Sequence, residues 1–135
     1  MYTIYILSDT LYTKHMSSLQ RELGERLLDF AVESIAVVES LPKTLAGRRI
    51  GDQLLRAATS VGANYQEAQA AESRADFAHK LQIALKEVRE TNYWLRLLAR
   101  TQTNSPRLTN LVDESAQLRA ILSKAVVTVK RSETE

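Results

Sequence analysis

The segment from Gln53 to Leu98 constrains the fold of this chain more than any other stretch of the sequence. Its second half carries apolar or small residues at alternating steps of four and three, a spacing that keeps side chains on one face of an α-helix. They are Phe77, Leu81, Ala84, Val88, Thr91, Leu95 and Leu98. Its first half is rich in small residues, which let neighbouring helices approach closely, and a break at Glu72-Ser73 separates the two halves. The segment therefore predicts an antiparallel helical hairpin.

The outer surface of this hairpin carries three further rows of residues at helical spacing. A polar row on the first helix comprises Arg49, Gln53, Arg56, Ser60, Asn64 and Glu67. A mixed row on the second helix comprises Ile83, Glu87, Glu90, Trp94 and Leu97. A basic row on the second helix comprises Gln82, Lys86, Arg89, Tyr93, Arg96 and Arg100, which span roughly a quarter of its circumference at about 100° per residue. A bundle needs only one apolar face per helix, so these rows indicate either contacts with other molecules or solvated faces.

Periodic apolar residues predict one more helix before the hairpin and one after it. The first of these helices has an apolar face that includes Leu27 and Phe30. We expect this face to be widened by four more residues, Leu28, Ala31, Ile35 and Val38. The helices are expected over residues 18–41, 45–71, 74–101 and 106–130.

Capping signals precede the last three of these helices. They are Thr44, Ser73 in a sequence that resembles a capping box with Asp76, and Ser105 followed by Pro106. Few Gly, Pro and aromatic residues also favour an all-helical chain. Four helices with short connections predict an all-α fold, an up-down-up-down antiparallel four-helix bundle over residues 18–131.

The first seventeen residues do not fit the helical pattern. Tyr2, Ile4 and Ile6 alternate with other strand-prone residues, but a lone strand has no partner in a helical protein. We expect residues 1–17 to be a poorly structured arm, an arm that pairs with another subunit, or sequence upstream of a native start at Met16.

The composition argues against most enzyme chemistry. The chain has no Cys, and therefore no disulfide, thiolate zinc site or cysteine nucleophile. Asp76 and His79 have the spacing of half a helical metal site, but the Glu-x-x-His pairs of di-iron bundles do not occur. No glycine-rich phosphate loop is recognisable. We expect a non-enzymatic protein with no metal and no cofactor.

The charge distribution is more informative than the net charge of +2. Residues 73–101 contain six basic and three acidic residues, so a local basic patch can attract phosphate. No apolar run approaches the ~18–20 residues of a membrane span, and the N-terminus lacks the features of a secretory signal. We expect a cytoplasmic protein with no membrane partner.

Several motifs on the hairpin resemble those of a known family. They are Gln53-x-x-Arg56-Ala57-Ala58-x-Ser60-Val61-x-x-Asn64-x-x-Glu67, Ser73-x-x-Asp76-Phe77, Leu81-x-Ile83-Ala84 and Glu87-x-x-Glu90-Thr91-x-x-Trp94-Leu95. Together with Leu41-Pro42-Lys43 they resemble the four-helix-bundle proteins encoded in intervening sequences of bacterial 23S rRNA genes. The resemblance covers residues ~20–130. Ala68 departs from the family, which usually has Gly at that position, and the arm has no counterpart.

The resemblance implies a homopentamer of four-helix bundles. It also implies association with RNA, as inferred from gene location, and a relationship to the accessory variability protein of diversity-generating retroelements. That relative is a pentamer that binds nucleic acid and a reverse transcriptase, so rRNA, other nucleic acid and a reverse transcriptase are the partners implied by analogy.

Two functions are carried forward. The first is nucleic-acid binding by a homo-oligomer, with phosphate contacts from Lys86, Arg89, Tyr93, Arg96 and Arg100. The second is a protein–protein adaptor or assembly module without nucleic-acid binding. In either case we expect the polar row, Glu87, Glu90 and Trp94 to form a structural polar network or an oligomer interface, with Arg56, Asn64, Glu67 and Glu90 mostly buried and hydrogen-bonded.

Overall fold

Four helices account for nearly all of the described chain in the computed structural model, which describes residues 10–102 and 105–134 and, of these, the side chains of residues 18–102 and 105–132. The helices are α1 (Thr10–Ser40), α2 (Leu45–Gln69), α3 (Arg74–Thr101) and α4 (Pro106–Thr134). Each helix packs on its neighbours in the chain, and α1 also contacts α4, which closes the bundle. The prediction of an all-α, up-down-up-down four-helix bundle is confirmed.

Side-chain caps fix the starts of three helices where the sequence predicts them. Thr44 Oγ1 accepts a hydrogen bond from the backbone N–H of Gly47 at 3.0 Å, and Ser73 Oγ accepts one from Asp76 at 3.0 Å. Ser105 Oγ accepts a longer bond of 3.3 Å from the N–H of Leu108. Each cap satisfies a backbone donor that has no partner inside the helix, so the helix begins at the next residue.

Helix α1 begins at Thr10, eight residues before the start expected from the sequence, so part of the 1–17 segment has a helical backbone. Residues 1–9 lie outside the described residues. Helix α2 ends at Gln69, two residues earlier than expected, and α4 continues to Thr134 rather than stopping near residue 130.

The core contains the face of α3 that the sequence spacing predicts. All seven residues of that face are buried, and Leu54, Val61 and Leu27 join them from α2 and α1. The prediction for α1 is wrong at two positions, because Leu28 and Ile35 are exposed rather than part of a wider core face. The reason is that α1 has apolar residues on two faces, and the bundle covers only the one centred on Leu27 and Phe30.

One buried side-chain hydrogen bond crosses between α3 and α4. Asn92 Nδ2 donates to Ser115 Oγ at 2.8 Å, and Ser115 Oγ donates to the carbonyl of Val112 at 2.8 Å. Asn92 is 4% exposed and Ser115 is fully buried. Because both side chains have a partner, the pair does not carry the cost of an unsatisfied buried polar group.

Candidate nucleic-acid and assembly surfaces

The basic row lies on the outside of α3. Lys86, Arg89, Arg96 and Arg100 are exposed, and Gln82 is half-buried beside them. Within the described part of the chain, none of the four cations forms an ion pair. Four unpaired cations along about 21 Å of helix, at 1.5 Å per residue, form a surface that favours phosphate.

An aromatic pair adjoins the basic row. The rings of Tyr93 and Trp94 meet edge to face, with centroids 5.1 Å apart and planes at 77°. Tyr93 is 56% exposed, whereas Trp94 is half-buried against the core. The Trp94 Nε1 atom is enclosed and has no hydrogen-bond partner among the described residues. The pair therefore forms an apolar patch at the surface, in which the Tyr93 ring is the part that is accessible to solvent.

The mixed row of α3 is joined to α2 by one ionic cluster. Arg56 pairs with Glu87 at 3.2 Å and also with Glu90. The hydrogen bond to Glu90 raises the pKa of Arg56 above its usual value. The cluster bears one positive and two negative charges, so it leaves an excess of negative charge beside the basic row.

The polar row does not form the buried network expected from the sequence. Arg49, Gln53, Arg56 and Glu67 are exposed, and Asn64 and Glu90 are only half-buried. Ser60 Oγ instead donates to the carbonyl of Arg56 at 2.6 Å, and Asn64 Nδ2 donates to the carbonyl of Ser60 at 2.8 Å.

The prediction of burial is thus wrong for Arg56 and Glu67 within the single chain. Both lie on the side of α2 opposite its buried residues Leu54, Val61 and Tyr65, so the bundle leaves them exposed. The short side chains of Ser60 and Asn64 bond instead to the carbonyl one turn earlier, the nearest acceptor on a helix. Of the six residues of the polar row, all in the described part of the chain, Arg56 alone bonds to a side chain of the neighbouring helix. The part of the prediction that assigns these residues to an interface between subunits stays a prediction.

A further surface, on α1, was not expected as a functional feature. Leu28, Val32 and Ile35 lie one turn apart and are 58%, 55% and 38% exposed. Beside them lie Glu22, Glu25 and Asp29, which are exposed and have no ion pair within the described residues. We name these two sets the α1 apolar row and the α1 acidic row. The signal in the sequence is that α1 carries more apolar residues than one buried face can accommodate.

The α1–α4 contact carries ion pairs on its outer side. Arg26 donates from Nε and Nη2 to the two carboxylate oxygens of Glu114 at 2.7 and 2.6 Å, and also to Gln117 at 2.8 Å. The bond to Glu114 raises the pKa of Arg26 above its usual value. Arg107 pairs with Glu33 at 3.1 Å. Arg26 and Arg107 therefore have acidic partners within the chain, whereas the cations of the basic row have none in its described part.

Neither a metal centre nor a membrane span is found in the described part of the chain. No three His, Cys, Asp or Glu side chains there form a group that could hold a metal ion. His79 is exposed on α3, and Asp76 lies in the first turn of that helix. None of the four helices, over their described residues, is long and apolar enough to cross a membrane.

Comparison with known proteins identifies the family. The model of the family described as 23S rRNA-intervening sequence protein matches residues 20–124. No curated protein matches. A crystal structure of a protein of unknown function from the S23 ribosomal protein family of Bacteroides thetaiotaomicron is similar to this chain, with 36% sequence identity and a TM-score of 0.71. The similarity covers 79% of this chain and 96% of that one. The chain therefore belongs to the 23S rRNA-intervening sequence protein family.

Proposed function

We propose that this protein is a non-enzymatic homo-oligomer of four-helix bundles that binds nucleic acid through the basic row of α3. The observation that carries the proposal is the set of four exposed cations without ion pairs in the described chain, Lys86, Arg89, Arg96 and Arg100. A polyanion suits them better than a small anion does, because a row of separate charges along a helix matches repeated phosphates.

The contacts are made chiefly with phosphate. The exposed Tyr93 ring is the one aromatic group of the row, and it can stack on an unpaired base. Stacking accepts every base, and phosphate contacts carry no sequence information, so binding has little sequence preference. Structured RNA with unpaired loops offers both phosphates and accessible bases, and for this reason RNA is the preferred ligand.

Repetition of the row around an oligomer strengthens the binding. A single copy with four cations has a modest affinity, but several copies on one particle engage the same polyanion together. The resemblance to proteins that form pentamers supports five copies.

The test is fluorescence anisotropy with a labelled structured RNA and a DNA duplex of the same length. Wild type is compared with Arg96→Glu/Arg100→Glu, which reverses the two members of the row farthest from the Arg56 cluster. A matched control, Lys124→Glu/Lys130→Glu, makes the same charge change at exposed positions of α4. We expect the α3 variant to bind at least roughly tenfold more weakly, and wild-type affinity to fall steeply between about 50 and 200 mM salt.

Equal losses in the α3 variant and the α4 control would show that binding follows net charge alone. Absence of binding by wild type at low salt would remove the proposal. Circular dichroism and the particle mass of each variant establish that fold and assembly are retained.

The second candidate is an adaptor or assembly module without nucleic-acid binding. The α1 apolar row favours it, because three exposed aliphatic side chains one turn apart are typical of a protein interface. A pull-down that recovers a stoichiometric protein partner, together with no RNA or DNA binding at low salt, would make this function the better one.

A further inference from the structure

We infer that the outer face of α1 is the surface on which a second copy of this chain docks its α3. The α1 apolar row would pack on Tyr93, Trp94 and Leu97, and the α1 acidic row would face Lys86 and Arg89 of that copy. The inference rests on the homo-oligomer proposed above and identifies the interface between its subunits, which we call the joint. Each surface is described from a single chain, and the argument is their complementarity.

The two surfaces match in polarity. Leu28 and Val32 are more than half exposed, and Ile35 is exposed beside them, so the α1 face is an aliphatic ridge. On α3, Tyr93 is exposed, and Trp94 and Leu97 are half-buried, so that face offers a broad apolar surface. Aromatic side chains are enriched at interface cores, and packing of the two faces would remove both from water.

The two surfaces also match in charge. Glu22, Glu25 and Asp29 border the ridge on α1, and they have no ion pair in the described chain. On α3, Lys86 and Arg89 adjoin the aromatic surface and are also unpaired in the described chain, whereas the neighbouring Glu87 and Glu90 are both paired with Arg56. Complementary charges of this kind orient two surfaces and disfavour wrong pairings. A foreign partner would have to supply both features, whereas a second copy already carries them.

The order of residues along the helices selects a parallel arrangement. On α1 the acidic row is displaced toward the N-terminus relative to the apolar row, and on α3 Lys86 and Arg89 are displaced the same way relative to Tyr93. At about 100° per residue the acidic row lies on one side of the apolar row on α1, whereas on α3 Arg89 lies on the opposite side of the apolar residues and Lys86 lies between Tyr93 and Leu97. Two parallel helices that face each other require this reversal, so the charged rows meet when the apolar rows meet.

This joint has two consequences. Because α1 of one copy meets α3 of the next, the two sides are different patches, and the contact generates a ring or a filament rather than a two-fold dimer. In addition, it divides the basic row. Lys86, Arg89 and Tyr93 are taken by the neighbouring copy, whereas Arg96 and Arg100 remain free for phosphate. In the assembled particle binding therefore depends on phosphate contacts, and stacking by Tyr93 is confined to a copy whose α3 has no neighbour.

The test uses charge reversal on each side and then mixes the variants. The α1-reversed protein is Glu25→Lys/Asp29→Lys, and the α3-reversed protein is Lys86→Glu/Arg89→Glu. Mass is measured by sedimentation velocity and light scattering over a range of protein concentration. We expect each variant alone to need at least about 100-fold more protein for half-assembly than wild type, because like charges would then face each other. A 1:1 mixture should assemble again, since each variant supplies the charge that the other lacks.

A second variant tests the apolar contact. Leu28→Ser/Val32→Ser alters side chains that are exposed in the single chain, so circular dichroism should be unchanged while the mass falls toward 15.2 kDa. The inference is overturned if wild type has the mass of one chain at tens of micromolar. It is also overturned if the reversed variants or the serine variant assemble like wild type, or if the mixture stays dissociated.

The outcome is separable from that of nucleic-acid binding. Arg96→Glu/Arg100→Glu is expected to assemble like wild type but to lose RNA affinity, and the mixture of reversed proteins retains those two arginines. If assembly follows the charge reversals while RNA does not bind, the joint is correct and the proposed ligand is wrong. If RNA binding depends on Arg96 and Arg100 while assembly ignores the reversals, the ligand is correct and the joint is wrong.

Discussion

The two contacts that α1 makes within the bundle are built in opposite ways. Against α2, the helices approach closely at glycines. A Cβ on Gly62 would lie 3.4 Å from Leu27 Cβ, and one on Gly51 would lie 3.4 Å from side-chain atoms of Val38 and Leu41. Tyr65 adds a hydrogen bond from its hydroxyl to the carbonyl of Gln20 at 3.2 Å.

Against α4, α1 makes far fewer contacts, and charged side chains reach across the outer side of the gap. The difference shows that the α1–α2 contact depends on close packing and burial, whereas the α1–α4 contact depends more on charge. Changes in packing or in the ionisation of Tyr65 should therefore affect the α1–α2 contact, whereas added salt should affect the α1–α4 contact.

The largest effect is expected from ionisation of Tyr65. Burial raises the pKa of this phenol from 10.0 to about 12. The folded state therefore holds the proton more tightly than the unfolded state, and the stability that this supplies is complete below pH ~10 and lost as the pH rises to about 12. Two pKa units correspond to about 3 kcal/mol of unfolding free energy.

Urea unfolding at several pH values, compared between wild type and Tyr65→Phe, measures this term. The phenylalanine variant should lose about 1 kcal/mol at neutral pH with the hydroxyl hydrogen bond, and should lose less than wild type as the pH rises. Parallel losses in the two proteins would mean that other groups cause the alkaline destabilisation.

Enlarging Gly51 should have the next largest effect. The side chain of Gly51→Leu would have to enter the space occupied by Val38 and Leu41, and overpacking of this kind costs about 1–3 kcal/mol. Gly51→Ala is the matched control, because its Cβ makes ordinary contacts and helix propensity improves by about 1 kcal/mol. Thermal unfolding should therefore rank alanine at or above wild type and leucine below it. Equal melting temperatures for leucine and wild type would show that the α1–α2 contact is loosely packed.

The smallest effect is expected at the α1–α4 contact. Arg26→Ala removes the two bonds to Glu114 and should cost about 1 kcal/mol at low salt, and less as salt is added. Arg107→Ala removes a single contact to Glu33 between two half-exposed side chains, so it should cost at most about 0.5 kcal/mol. A loss of several kcal/mol at either arginine, or one that salt does not reduce, would contradict the contrast between the two contacts.

The sequence predicts the fold better than it predicts the surfaces. The face of α3 could be identified because one row at steps of four and three contains its core residues, and caps at Thr44 and Ser73 mark where helices begin. On α1, periodicity does not show which of two apolar faces the bundle covers, and for this reason the prediction of Leu28 in the core is wrong. Burial depends on the neighbouring helices, which a local pattern does not contain.

At the candidate surfaces, the limits of prediction from the sequence have a different cause. Lys86 and Arg89 are as exposed as a row of charges predicts, because lysine and arginine are rarely buried without a partner. For Ser60 and Asn64 the choice between a local carbonyl and a distant partner decides the outcome, and helical spacing permits both. Asn92 was not expected in the core because its partner, Ser115, is contributed by another helix.

The buried bond between Asn92 and Ser115 has a consequence for alignment. The core residues of α4 repeat every seven positions and most of them are apolar, so sliding α4 along α3 by one repeat would still present a mainly apolar face to α3. That slide would, however, move Ser115 away and leave the Asn92 amide enclosed without a partner, at a cost of about 1–3 kcal/mol. The pair thus specifies the axial register of α3 and α4, whose packing surfaces are otherwise repetitive. It thereby also fixes the position of the basic row of α3 along the bundle axis.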